Sequence, residues 1–271
     1  MMTSPQTVLI TGASSGIGAA LAQHYAREGM TLVLGGRNAV RLAEVVALCR
    51  AKGARCHATT LDVRDSGSLV HWIATADAEY PIDLAILNAG LAATRATSDG
   101  GEDVQEMLAQ IETNLSGTLI AAQTIAERMV QRRRGHLALV SSLNGLFPVV
   151  QAPTYSATKA GILAYARAIR DWLEPAGVRV TTICPGFVRT AIAKRYEGPR
   201  PLEITAEQAA SKIAIGLARH RRRIDFPQAL VASIHLGKLV PNVVRRRIVS
   251  AYTARLSPLG TDDIKRTRPK P

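Results

Sequence analysis

The chain has 271 residues, enough for one large domain with a sizeable core, and its 47% apolar and 20% charged residues exclude a disordered or fibrous class. No run approaches the roughly 20 uncharged apolar residues of a membrane span. The start carries no basic-then-apolar leader pattern, and three scattered cysteines (Cys49, Cys56, Cys184) and six dispersed histidines form neither a metal-ligand spacing nor a disulfide framework; the expected setting is therefore reducing and cytoplasmic, with no metal. The net charge of +13 is uneven, because from Arg219 onward thirteen Lys and Arg face three acids.

The elements alternate along the chain. Val8 to Ile10 reads as a buried strand, and Ile17, Leu21 and Tyr25, at spacings of four, mark one face of a helix. Between them lies TGASSGIG, Thr11 to Gly18, so its glycines fill a strand-to-helix turn. Glycine there lets the backbone bend and lets a bulky group come close. The unpaired N–H groups and positive dipole end of the following helix suit a phosphate. A second strand, Thr31 to Gly36, precedes a helix with Leu42, Val45, Val46 and Cys49 on one side and Gly53 as its stop. A third strand lies near CHATTLDV (56–63), and a helix carries Leu69, Trp72 and Ile73. The fourth strand is DLAILNAG (83–90), and a long helix runs over 111–130. The fifth strand is HLALVSS (136–142), a helix follows Pro153 to about Glu174, and the sixth strand is VRVTTICPG (178–186).

Six alternations with continuous apolar strands predict an α/β fold, a single doubly wound parallel sheet with helices on both faces. After Gly186 the pattern loosens into an irregular stretch, a helix near Thr205 to Arg219, a short RIDFP and a basic tail whose last residues, from Thr261, read as frayed. The expected division is a main domain over 1–228 and a basic C-terminal extension over 229–271, packed on or beside it.

Ligands of such sheets sit outside the carboxyl ends of the strands, which draws together the residues following each run. Among them YSATK places Tyr155 and Lys159 on one helix face. A tyrosine has a pKa of about 10, and a nearby ammonium lowers it, making a tunable acid and base. Ser142, at the end of the fifth strand, offers a hydroxyl to a substrate oxygen. Asn114 stands inside a helix, where asparagine is unfavourable without a purpose.

Taken together, TGASSGIG, the NAG of Asn88 to Gly90, Asn114, Ser142, YSATK and PGFVRT resemble the short-chain dehydrogenase/reductase family over about residues 6 to 190. The resemblance implies a Rossmann-type sheet and an oxidoreductase that interconverts a carbonyl and an alcohol by hydride transfer. It implies Tyr155 as acid/base, Lys159 lowering the tyrosine pKa and holding the nicotinamide ribose, Ser142 polarising the carbonyl, and Asn114 holding a water that relays protons. It implies a cofactor site from Gly12, Ser14, Ser15, Gly16, Ile17 and Gly18 at the pyrophosphate, Asp62 and Val63 at the adenine, and Asn88, Ala89 and Gly90 at its ribose side. Pro185, Gly186, Val188 and Thr190 would lie at the nicotinamide amide, with Tyr155 and Lys159 completing the set. At the end of the second strand, where an NAD site carries an acid, stand Gly35 and Gly36 followed by Arg37 and Asn38. An arginine fork pairs with a 2′-phosphate, so NADP is expected over NAD.

The expected substrate pocket draws on Asn144, Leu146, Phe147, Val149 and Gln151, and on Phe187, Ile192 and Tyr196 beyond Pro185. The partner is a small carbonyl or alcohol, its identity open, and a homo-oligomer is expected. A rival reading is a dinucleotide sensor or scaffold without turnover. In the tail, apolar residues of Ala229 to Tyr252 interleave with Lys238 and Arg245 to Arg247. That pattern suits either a helix packed on the protein, with Pro241 dividing it, or peripheral contact with an anionic membrane. Nucleic acid is not expected, for no aromatic platform or helix-turn-helix accompanies the charge.

Overall fold

The computed structural model describes residues 5–94, 100–194, 196–237, 255–256 and 259–264. The chain begins with β1 (Thr7–Thr11), α1 (Gly16–Tyr25), β2 (Thr31–Gly36), α2 (Ala39–Arg50), β3 (Arg55–Thr60), α3 (Ser66–Glu79) and β4 (Leu84–Leu87). Next come α4 (Val104–Gln110), a π-helical stretch Ile111–Ser116, α5 (Gly117–Gln131), β5 (Gly135–Val140), α6 (Leu143–Leu146), α7 (Pro153–Leu173) and β6 (Val178–Pro185). Short pieces follow: β7 (Val188–Arg189), α8 (Ala191–Lys194), β8 (Tyr196–Glu197) and β9 (Ile204–Thr205). The described chain closes with α9 (Ala206–Ala218), β10 (Arg223–Phe226), α10 (Gln228–Gly237), β11 (Arg255–Leu256) and α11 (Thr261–Ile264).

The main sheet has seven parallel strands in the order β10-β6-β5-β4-β1-β2-β3. RIDF, read from sequence only as a short segment, is the seventh strand; it pairs with β6 from Arg223↔Thr182 to Phe226↔Pro185. Its charged side chains hid it, because an edge strand need not be apolar on both faces. The opposite edge corrects the reading in the same way: in β3 only Cys56 is buried, so this strand is not a continuous apolar run.

One face of the sheet packs α1, α2 and α9, with Leu21, Leu42, Val46 and Ile213 meeting Val8, Ile10 and Leu32. The other packs α3, α5 and α7, where Ile73, Ile125, Met129 and Ile162 meet Leu9, Val33 and Leu139. Alternate residues of one strand thus serve opposite layers. The chain moves outward from β1 to β3 and returns on the other side at β4, so the strand order reverses between β1 and β4 and opens a crevice at their carboxyl ends.

Described parts of the 229–271 segment lie against the domain. In α10, Val231 is buried with Leu143 and Cys184. β11 pairs antiparallel with β8, Arg255 opposite Glu197 and Leu256 opposite Tyr196. Thr261–Ile264 forms a helical turn where the sequence reads as frayed. Lys238, Pro241 and Arg245 to Arg247, on which the membrane-contact expectation rests, lie outside the described residues. Among the described residues no helix is long and apolar enough to cross a membrane. All three cysteines are buried and free.

Candidate active site

A single cavity of about 1420 Å³ runs along the carboxyl ends of the strands. That exceeds the usual few hundred to ~1,000 Å³ of a single small-ligand pocket and suits a dinucleotide with a second molecule beside it. Gly12, Ser14, Ser15, Gly16 and Ile17 line its middle. Gly12 takes φ +68°, a conformation side chains avoid. A Cβ on Gly18 would run into the Gly12 carbonyl oxygen, so Gly18 lets α1 seat against the turn. Ser15, the N-cap of α1, makes no side-chain cap bond to the helix, which leaves the positive helix end to the cavity. The turn is tied to β4 by Thr11, whose Oγ1 accepts from the N–H groups of Asn88 (3.0 Å) and Ala89 (3.1 Å).

Tyr155, Lys159 and Ser142 meet at one end. Ser142 caps α6, its Oγ accepting from Asn144 N at 3.1 Å, and its hydroxyl lies beside that of Tyr155. Lys159 is 3% exposed; its Nζ donates to the Val140 carbonyl at 3.0 Å and lies 5.7 Å from the centre of the Tyr155 ring. Burial pulls the Lys159 pKa down to about 8. Burial also raises that of Tyr155, against a smaller opposing pull from the Ser142 hydrogen bond. The net direction is the reverse of the lowering expected from the lysine, because the low-dielectric surroundings disfavour the phenolate more than its partners stabilise it. Asn114, fully buried, accepts from Leu91 N at 2.7 Å and donates to the Leu91 carbonyl at 2.8 Å and to Thr158 Oγ1 at 3.2 Å. The π-helical turn places it there, and it pins the loop after β4 to α7.

At the other end stands Arg37, directly after β2, with Asn38 capping α2 by accepting from Arg41 N at 2.9 Å. Arg37 Nη2 pairs with Asp263 Oδ1 of α11 at 2.5 Å. Thr113 faces the cavity between the ends, and its buried Oγ1 has no hydrogen-bond partner among the described residues. The glycine turn, open helix end, terminal arginine and orphan hydroxyl form a donor set that fits a dinucleotide.

A family model described as short chain dehydrogenase matches residues 6–200. The chain belongs to the short-chain dehydrogenase family. An oxidoreductase of Myxococcus xanthus is 32% identical over 240 residues, which cover 88% of this chain and 94% of that one. A short-chain dehydrogenase from Sphingobium yanoikuyae, solved with NADPH, superposes with a TM-score of 0.75 at 27% identity, covering 91% and 96% of the two chains. A bulky-bulky ketone specific alcohol dehydrogenase from Comamonas testosteroni gives 0.73 at 25% identity, covering 88% and 95%. This short-chain dehydrogenase is thus an oxidoreductase of the CH–OH/carbonyl couple that uses NAD(P).

Most residues expected at the site of this short-chain dehydrogenase do line the cavity: Arg37, Asn38, Val63, Asn88, Ala89, Gly90, Pro185, Gly186, Val188 and Thr190, and on the substrate side Asn144, Phe147, Val149, Gln151 and Phe187, with Ile192 and Tyr196. Four sit behind its wall. Gly18 is packed beneath the turn, and Asn114 holds the Leu91 loop. Leu146 packs toward Cys184. Asp62 is buried in a bidentate pair with Arg64, and burial is outweighed by that pairing, so its carboxyl is held below its ordinary range. The sequence reading missed Leu61 and Trp72, and Leu230, Ser233, Ile234 and Leu236 of α10, which also line the cavity. For α10 a helical apolar spacing was visible, but nothing in it pointed to a cavity. Asp263, in the stretch that reads as frayed, and Gly260 just before that stretch also line the cavity.

Proposed function

We propose that the chain is an NADP-dependent reductase of bulky, mostly apolar ketones, with Tyr155 as the proton donor. The observation that carries this is the Ser142–Tyr155 hydroxyl pair above a buried Lys159, opening into the same cavity whose far end carries Arg37. When bound, the dinucleotide supplies the hydride. Burial keeps the Tyr155 phenol protonated near neutral pH, which is the form that can give a proton to a carbonyl oxygen. Ser142 holds that oxygen by a hydrogen bond that strengthens as negative charge grows on it. Lys159, from beneath the ring, steadies the phenolate left behind, and Asn114 keeps the neighbouring Leu91 loop in register.

Arg37 supports NADP, because it follows a strand end with glycines where an acid would hold a ribose hydroxyl. The relative solved with NADPH supports the same choice. A large apolar substrate is supported by Phe147, Val149, Phe187, Ile192, Leu230 and Ile234, which line the end next to Tyr155. It is supported also by the substrate class in the name of the Comamonas relative. The test is a panel of ketones of increasing bulk with NADPH and NADH, run with wild type and Tyr155→Phe. Turnover should favour bulky apolar ketones with NADPH and collapse in the variant. Equal turnover in both proteins removes Tyr155 from the chemistry.

A further inference from the structure

The segment 259–264 crosses the adenosine end of the cavity as a strap. Leu259 is 6% exposed and packs with Leu91, Ala93 and Ala109. Its N–H donates to Glu106 Oε1 at 2.5 Å. Further along, Arg64 Nη1 donates to the Asp263 carbonyl at 3.0 Å and to the Ile264 carbonyl at 2.9 Å, while its other nitrogens hold Asp62. The strap is therefore fixed by its backbone and by one buried leucine. Its Asp263 carboxylate is presented, not anchored, and meets Arg37, a residue 226 positions away in the chain, at the cavity wall.

We infer that Asp263 is a cofactor-selecting residue, an acid supplied from the C-terminal strap that competes with the 2′-phosphate of NADP for the Arg37 guanidinium. This rests on the reading of Arg37 as the 2′-phosphate partner. A phosphate monoester carries about −1.5 to −2 charges at neutral pH, so it must displace a carboxylate already paired with Arg37 and then endure it nearby. A dinucleotide with a free 2′-hydroxyl meets no such conflict, since a carboxylate accepts a hydrogen bond from a ribose hydroxyl. The acid absent from the end of β2 is thus delivered from elsewhere, and it narrows the preference that Arg37 alone would set.

Because the strap is held by Glu106, Arg64 and Leu259, Asp263→Asn removes the charge while keeping its place. Dissociation constants for NADPH and NADH, by quenching of intrinsic fluorescence, and for 2′,5′-ADP and 5′-AMP as probes of the adenosine end alone, read the effect. In Asp263→Asn, NADPH and 2′,5′-ADP should bind about three- to tenfold more tightly. NADH and 5′-AMP should bind unchanged or more weakly, and the gain should vanish in an Arg37→Ala background. Asp263→Ser should repeat the result without a side-chain amide. An unchanged or reduced NADPH-to-NADH selectivity, or an equal shift for both, overturns the inference. If Arg37→Ala alone lowers NADPH binding selectively while Asp263→Asn does nothing, only Asp263 loses its role. If Arg37→Ala leaves selectivity untouched, the reading of Arg37 itself falls.

Discussion

The two ends of the cleft are built in opposite ways. At one end the groups proposed for catalysis are near neighbours in sequence: Tyr155 and Lys159 share α7, and Ser142 caps the short helix before it. At the other end, Arg37 meets Asp263 across 226 positions, and Arg64 reaches the carbonyl of the same Asp263 across 199. Local spacing fixes the first end, so its chemistry depends on one helix and one strand terminus. The second is assembled by packing of a distant strap, and its charge balance can change without touching the first. On the function proposed above, chemistry and cofactor choice should therefore be separable.

The sharpest way to break the comparison is Tyr155→Phe. It should cost on the order of 10²–10⁴-fold in kcat, the usual range for a positioned proton donor, with the NADPH dissociation constant within twofold of wild type. A matching loss of NADPH affinity would join the two ends. Next is Arg37→Asp, which should weaken NADPH by about tenfold or more, as expected for a lost charged hydrogen bond. It should change kcat at saturating cofactor little; a fall as deep as that of Tyr155→Phe contradicts the separation.

A smaller effect concerns the cost of the buried lysine. Lys159 titrates near pH 8 in the folded chain, below its ordinary 10.5. Below pH 8 folding must bury an ammonium that the unfolded chain leaves in water. As pH rises from 8 to 10.5 the folded form has lost that proton while the unfolded form keeps it, so the penalty fades and stability rises. Lys159→Met should therefore melt about 2–4 °C above wild type at pH 7, inactive, with the gap closing by pH 10.5. A variant less stable at pH 7 shows that the bond to Val140 outweighs the burial. The smallest effect at neutral pH belongs to the far end of β5. There His136 is buried against Thr181 Oγ1 at 2.8 Å, and burial pulls its pKa down to about 4. Between pH 6.5 and 4 the unfolded chain binds a proton that the folded chain refuses, so stability falls as pH falls through that window. His136→Gln should flatten that slope in acid melts and leave turnover and both cofactor constants at pH 7 within twofold. Any larger change ties the two ends of the strand together.

The same contrast explains what the sequence could disclose. The glycine turn, the NAG at the end of β4, Ser142 and the Tyr155–Lys159 pair each follow an apolar run, and topology alone gathers such positions. The substrate-end helix α10 and the strap were not legible, because their role lies in what they cover. Leu230 and Ile234 have the spacing of any amphipathic helix, and Asp263 sits in a polar stretch typical of frayed ends. The pairing of Asp62 was also not legible: its position after β3 matches a ligand contact, while Arg64, two residues on, engages its carboxylate. β10 was obscured by Arg223 and Asp225, which pair with each other at 2.6 Å on the sheet edge.

The three buried thiols give the molecule built-in reporters of where it opens. A cysteine is alkylated as thiolate and only when reagent can reach it. Cys184 is buried under α10 with Val231 and Leu143, and burial, with the Asp225 carboxylate beside it, pushes its thiol up. Cys49 and Cys56 sit on the other side of the sheet, packed with Leu42 and Val46, and their mutual hydrogen bond pushes the Cys49 thiol up. Labelling at Cys184 therefore times the lifting of α10, while labelling at Cys49 waits for α2 to leave the sheet. The native chain records local and deeper opening separately, with no cysteine introduced.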